Sequence, residues 1–172
     1  MKKTYFPSLA LLLGLMLLLA AACSPTQPAT TTPPDASKNA LAQAAGKTWK
    51  LDRWIGVDGG AQTTGAITIA FAFDAADGNL RASGNASVNR YTGPVNFTGA
   101  GETDFSKGFA ATRMMGLPEP QAREDRYLAE LRQVRAAALE NGRLVLTGDG
   151  KLRMEFAPAP APSPAPSPAP AQ

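Results

Sequence analysis

Apolar side chains that recur at every second position, closed off by Asp-Gly and Asn-Gly dipeptides, constrain this chain more than any other feature. They commit most of it to antiparallel sheet. Ile67, Ile69, Phe71 and Phe73 share one face of the stretch Ala66–Asp74, with Thr68, Ala70 and Ala72 on the other. Asp77-Gly78 then turns the chain back through Asn79–Ser83, a hairpin by its turn chemistry. Upstream, Trp49 and Leu51 alternate with polar neighbours in Thr48–Trp54, the pattern of a half-buried strand. Downstream, Asn141-Gly142 and Asp149-Gly150 bracket Arg143–Thr147, with strands expected near Arg135–Glu140 and Lys151–Phe156: a three-strand meander.

One segment breaks the period of two. From Pro120 to Val134 the apolar residues Tyr127, Leu128, Leu131 and Val134 recur at three- and four-residue intervals, a single helical stripe. Pro118 and Pro120 suit a helix entry, and Arg126–Glu130 is an i,i+4 pair worth about 0.3 kcal/mol. One apolar face is what a helix needs to cover a sheet. The expected fold class is therefore α+β, a mainly antiparallel sheet with one helix packed against it. About 110 residues, 47–156, carry it, enough for one core.

Both ends differ in composition from this region. Lys2 and Lys3 precede an uninterrupted apolar or small stretch, Leu9–Ala22. Its 14 residues cover only about 21 Å as a helix, against about 30 Å of bilayer hydrocarbon. Residues 1–22 therefore read as a secretory signal. The ending Leu19-Ala20-Ala21-Ala22-Cys23 resembles a bacterial lipobox, so Cys23 is expected to be lipidated and to become the new N-terminus. Ordinary cleavage after an Ala-x-Ala site would instead leave a free thiol. Ser24 stands where an Asp would resemble an inner-membrane retention signal, which points to the outer membrane, facing the periplasm.

Residues 23–46 read as a disordered tether after the anchor, because Pro25, Pro28, Pro33 and Pro34 sit among threonines and alanines. Residues 157–172 read as an Ala/Pro/Ser-rich tail favouring extended polyproline II. That tail is either a solubilising segment or a contact for peptidoglycan or a proline-recognising partner.

Charge and composition exclude several functions. The chain carries 17 Lys and Arg against 14 Asp and Glu; loss of Lys2 and Lys3 with the signal leaves 15 against 14. A mature chain this near neutrality is no polyanion binder, so no nucleic-acid partner is expected. With no histidine and one cysteine, imidazole mechanisms, Cys–His pairs, Cys/His zinc sites and intrachain disulfides are excluded. Asp52 with Asp58, Glu102 with Asp104, and Glu119 with Glu124 and Asp125 are the carboxylate sets, all in expected turns or on a helix surface. Nothing local sets them across a cleft as glycosidase chemistry requires. Gly99-Ala100-Gly101 lacks the following helix of a phosphate loop. No enzyme, cofactor or metal is expected.

Three features in order carry a resemblance: Trp49-Lys50-Leu51, then Gly84 followed by Ser87-Val88-Asn89-Arg90-Tyr91-Thr92-Gly93, then Thr112-Arg113-Met114-Met115-Gly116 leading to Glu119 and a helix. With Leu144-Val145-Leu146 and Gly150–Phe156 behind them, they resemble the META domain of HslJ-type bacterial envelope proteins. The resemblance implies a curved antiparallel sheet, an open or cracked barrel, with the helix packed on or into it. It also implies a role in envelope stress, motility or antibiotic tolerance without an established enzymatic activity. Val88 and Gly116 occupy positions where family members often carry cysteines, so no redox or disulfide role carries over.

Asn89, Arg90, Tyr91, Thr112 and Arg113 fall in the signature segments and are the candidate binding residues. In one reading Arg90 and Arg113 line a mouth for an anionic or amphipathic ligand. In the other, Asn89 and Thr112 satisfy backbone groups while Tyr91 and Met114 fill the core. Two functions follow for a monomeric lipoprotein held to the membrane by acyl chains on Cys23. The first binds a lipid-like ligand or envelope protein and predicts an apolar cavity beside Tyr127, Leu128, Leu131 and Val134. The second is a structural or inhibitory module with a filled core, acting through surface loops such as Val57–Thr64.

Overall fold

The computed structural model describes residues 35–160; the signal, Cys23 and the tail beyond Pro160 lie outside them. Among these residues helix α1 (Ala36–Ala44) comes first, followed by β1 (Thr48–Ile55), β2 (Thr68–Phe73), β3 (Leu80–Asn85) and β4 (Arg90–Pro94). The short strands β5 (Asn96–Phe97), β6 (Thr103–Asp104) and β7 (Ala110–Ala111) lead to α2 (Pro118–Leu131). The meander β8 (Val134–Glu140), β9 (Arg143–Gly148) and β10 (Arg153–Pro158) closes the chain. Eight strands form one antiparallel sheet in the order β7-β4-β3-β2-β1-β10-β9-β8, curled into a half-barrel, as the alternation and the resemblance predict.

Local chemistry sets the turns. Asn141 and Gly142 both have positive φ (50° and 76°), the pair a tight two-residue hairpin needs between β8 and β9. In β1 the pairing to β10 shifts between Leu51 and Arg53, a bulge at Asp52. The extra residue reverses the facing, so Trp54 is buried together with Trp49 and Leu51. At Gly84 in β3 any Cβ would collide with the Thr68 carbonyl, so only glycine lets the two backbones approach.

The interior is one apolar cluster. Trp49, Leu51, Ile69, Phe71, Leu144, Leu146, Met154 and Phe156 come from the sheet, Ile67 from just before β2, and Leu41, Tyr127 and Leu131 from the helices. Phe105, after β6, is also fully buried. Trp54 Nε1 donates to Glu130 Oε2 (2.8 Å), and Arg126 Nε donates to Glu130 Oε1 (2.9 Å), which gives this buried α2 carboxyl its partners.

Four expectations are corrected. Residues 36–44, read as part of a tether, form α1. Its Ser37, Ala40, Leu41 and Ala44 make one buried face, which a single leucine among alanines does not announce as a stripe. Ser37 Oγ accepts from Ala137 N (3.2 Å), so α1 occupies the outer edge of β8 that would otherwise stand open. Val134 is not helical: α2 stops at Leu131, and Val134 begins β8 opposite Gly148. It stays buried because the strand turns back along the same core, which spacing alone does not separate from another helical turn. Phe73, expected on the inner face, is 57% exposed where β2 runs past the core into its hairpin. At the other end β10 pairs through Pro158, two residues into the stretch read as tail.

Replacing Leu41 with alanine should therefore cost about 2–3 kcal/mol of unfolding free energy, as expected for a sealed core leucine. Urea unfolding of the mature chain checks this; a change below about 0.5 kcal/mol would return residues 36–44 to the tether.

Candidate functional site

The signature segments meet where β3 turns into β4. Asn85 Oδ1 accepts from Ser87 N (2.8 Å), and Ala86 N donates to Asn89 O (2.8 Å), a tight turn in which Ser87 takes φ 112°. The turn drives Asn89 inward, leaving it 2% exposed. Its Nδ2 donates to Met114 O (3.2 Å) and to Glu124 Oε1 (2.8 Å). Its Oδ1 accepts from Thr112 Oγ1 (2.8 Å) and Met114 N (2.7 Å). Two donors and two acceptor positions are the full capacity of an asparagine amide. Asn89 thus has nothing left for a ligand; it ties the 112–114 segment and α2 to the start of β4.

Glu124 completes this junction from α2, with Oε2 accepting from Val88 N (3.1 Å) and Asn89 N (2.6 Å). Buried carboxyl oxygens need such donors, and here the turn's backbone supplies them. Thr112 Oγ1 also accepts from Arg90 N (3.2 Å), extending the edge beyond β7. Directly above, the Val88 side chain packs on Gly116: a Cβ built there would lie 2.5 Å from Val88 Cγ2.

Tyr91 is core. Its hydroxyl donates to Thr68 O (3.1 Å), which leaves it to accept from Tyr127 OH (2.8 Å). Burial pushes both phenols above their ordinary pKa, Tyr91 further through the neighbouring Tyr127. Both stay neutral near pH 7 and neither serves as a base. Edge-on packing of Tyr127 against Trp54 (5.9 Å between centroids) and Tyr91 (5.8 Å) fills the space under α2.

The two arginines do not share a mouth. Arg113 lines a groove of about 490 Å³ between the 112–117 loop and α2, floored by Asn89 and Glu124 and flanked by Leu128 and Asp125. Arg90 lines a separate groove with Thr48, Thr68, Ser83 and Asn85. Met114, placed in the core by one of the two readings, is 59% exposed and Met115 99%, which gives the first groove an apolar rim; Leu117, 75% exposed, follows in the chain outside its lining. Sequence reasoning gave no binding role to Met115 or Leu117, and it set Glu124 on the helix surface, where the structure leaves it only 4% exposed. The first two carried a signal, as large apolar residues outside any periodic element. Glu124 carried none, since its partner lies 35 residues away.

The carboxylate sets are scattered among structural partners. Asp52 pairs with Arg143, Glu119 with Arg123, and Asp58 with Arg126. Backbone donation from Gly60, and then Arg126, holds Asp58 below its ordinary pKa while it pins the Val57–Thr64 loop to α2. Among the described residues no group of three His, Cys, Asp or Glu side chains could hold a metal ion, and no helix is long and apolar enough to cross a membrane. The buried polar atoms of Asn89 and Glu124 at this junction are committed to holding the fold.

Comparison with known proteins matches the META domain family model to residues 41–161. No curated protein matches the chain. Among solved structures, a protein from Burkholderia xenovorans determined by NMR is similar over 70% of this chain and 87% of its own, at 22% identity and a TM-score of 0.57. That likeness concerns the fold. A second NMR structure is similar over 68% of this chain and 92% of its own, at 21% identity and a TM-score of 0.46.

Proposed function

Because the chain belongs to the META domain family, we propose that it is an HslJ-like lipoprotein of the bacterial envelope that binds with its outer surface and catalyses nothing. Acyl chains on Cys23 hold the monomer at the outer membrane, facing the periplasm. Residues 24–34 are the tether, and the folded domain serves envelope stress or antibiotic tolerance by contact. It uses no cofactor.

One observation carries the choice of surface over interior. Of the four residues expected beside a lipid cavity, Tyr127, Leu131 and Val134 are fully buried in the core and Leu128 is half-buried at the edge of the outer groove, whereas Met114, Met115 and Leu117 stand in solvent. Exposed apolar residues gathered on one loop mark an interaction surface. A lipid-like ligand would have to displace close-packed side chains, at several kcal/mol.

The test has two arms. Cells expressing the full chain with radiolabelled palmitate should label it, and Cys23→Ser should abolish the label. Native mass spectrometry of the mature Cys23→Ser chain, purified from the envelope, should give the bare mass. Absence of label removes the anchor, and a retained lipid-sized adduct restores the interior-cavity function.

A further inference from the structure

We propose that the 112–117 loop is a membrane-contacting tip, and that the partner of this surface is the lipid bilayer to which the chain is anchored, an inference that rests on the lipoprotein reading above. The apolar side chains are exposed and lie close together in the chain. Met115 is 99% exposed, with Met114 and Leu117 on either side, and Gly116 between them packs on Val88. A fully exposed apolar side chain suits insertion into a soft, deformable phase, where unbranched methionine adapts well. The loop is also held firmly at its base, since Asn89 bonds Met114 N and Met114 O. Little ordering entropy is therefore lost when the tip inserts.

Charge around the tip separates insertion from headgroup adsorption. Exposed Arg113 adjoins the loop, while exposed Glu119 and Asp125 lie on the first turns of α2. One positive charge against two negative ones gives no excess of positive charge here, so attraction to anionic lipid is not the driving force, and apolar transfer is. Geometry permits the contact. Eleven residues, 24–34, lie between Cys23 and Asp35, and a chain of that length spans at most about 40 Å. A folded unit of this size has a radius of gyration of about 14 Å. Any face can therefore meet the bilayer, and the tether raises the local lipid concentration enough for a weak contact to matter.

The experiment uses the full mature chain carrying Cys23→Ser, so that no acyl chain assists. It is mixed with vesicles of phosphatidylethanolamine and phosphatidylglycerol, or of phosphatidylcholine alone, with brominated acyl chains as quenchers. Trp49 and Trp54 are buried, so a tryptophan placed by Met115→Trp reports its own surroundings. It should be quenched on both kinds of vesicle. A tryptophan placed by Phe73→Trp, five residues along β2 from Thr68, should not be. Met115→Asp should lower vesicle partitioning about tenfold or more, with unchanged thermal unfolding, because a fully exposed side chain supports no packing.

Unquenched Met115→Trp, equal quenching at both positions, or salt-reversible binding to phosphatidylglycerol vesicles alone overturns the proposal. So does a photo-crosslink from position 115 that captures a protein without lipid quenching. Palmitate labelling without quenching sinks this inference and spares the lipoprotein reading. Quenching without labelling does the reverse.

Discussion

Asn89→Ala is expected to lower unfolding free energy by about 3–4 kcal/mol, although the side chain removed is small and polar. Four hydrogen bonds are lost together, to Met114 N, Met114 O, Thr112 Oγ1 and Glu124 Oε1. Each such bond is worth only about 1 kcal/mol net, but buried groups left without a partner add their desolvation. Glu124 is 4% exposed and would keep the backbone donors of residues 88 and 89 on one oxygen only. Urea unfolding measures the loss. Amide exchange should show where it falls, with protection disappearing first in residues 112–117. A loss below about 1 kcal/mol with unchanged exchange would free Asn89 for a ligand-binding role.

The second large effect runs the other way. Val88→Cys with Gly116→Cys, built on Cys23→Ser, should form a disulfide in air and raise stability by about 3–4 kcal/mol. A Cβ built at Gly116 stands 3.3 Å from Val88 Cβ, close to the usual disulfide separation of about 3.5–4.5 Å. Closing a loop of about 28 residues restricts the unfolded chain by that amount in the loop-entropy account. A rise in Tm of about 10 °C that vanishes with reductant is the expected result. Thiols that stay free under oxidant would show that the two segments are not in contact. Valine and glycine thus occupy as a packing pair the space a crosslink would take, and here the loop base is held by hydrogen bonds to Asn89 and Arg90.

The candidate site was partly legible. Asn89, Arg90, Tyr91, Thr112 and Arg113 stood out in the sequence through the resemblance of their segments, and the structure brings Asn89, Thr112 and Arg113 to one groove. Their roles were not legible. Asn89 is consumed by internal hydrogen bonds and Tyr91 is walled in beside Tyr127, because partners 23 to 36 residues away decide which polar atoms remain free. Arg90 and Arg113, 23 residues apart and expected at one mouth, line different grooves.

By itself the sequence determined what depends on neighbours along the chain. The period of two at the start of β1 and in β2, the positive-φ turn at Asn141-Gly142, the helical stripe through Tyr127 and Leu131, and the excluded histidine and disulfide chemistries are local properties of side chains and backbone. Tertiary structure alone decided the rest. It buried Leu41 by laying α1 against β8, and a one-residue bulge at Asp52 turned Trp54 inward. It filled the space under α2 with Tyr91, Tyr127 and Trp54, and it left Met115 in solvent. Burial is settled by what arrives from elsewhere in the chain, and no local pattern records which apolar residues will find a neighbour.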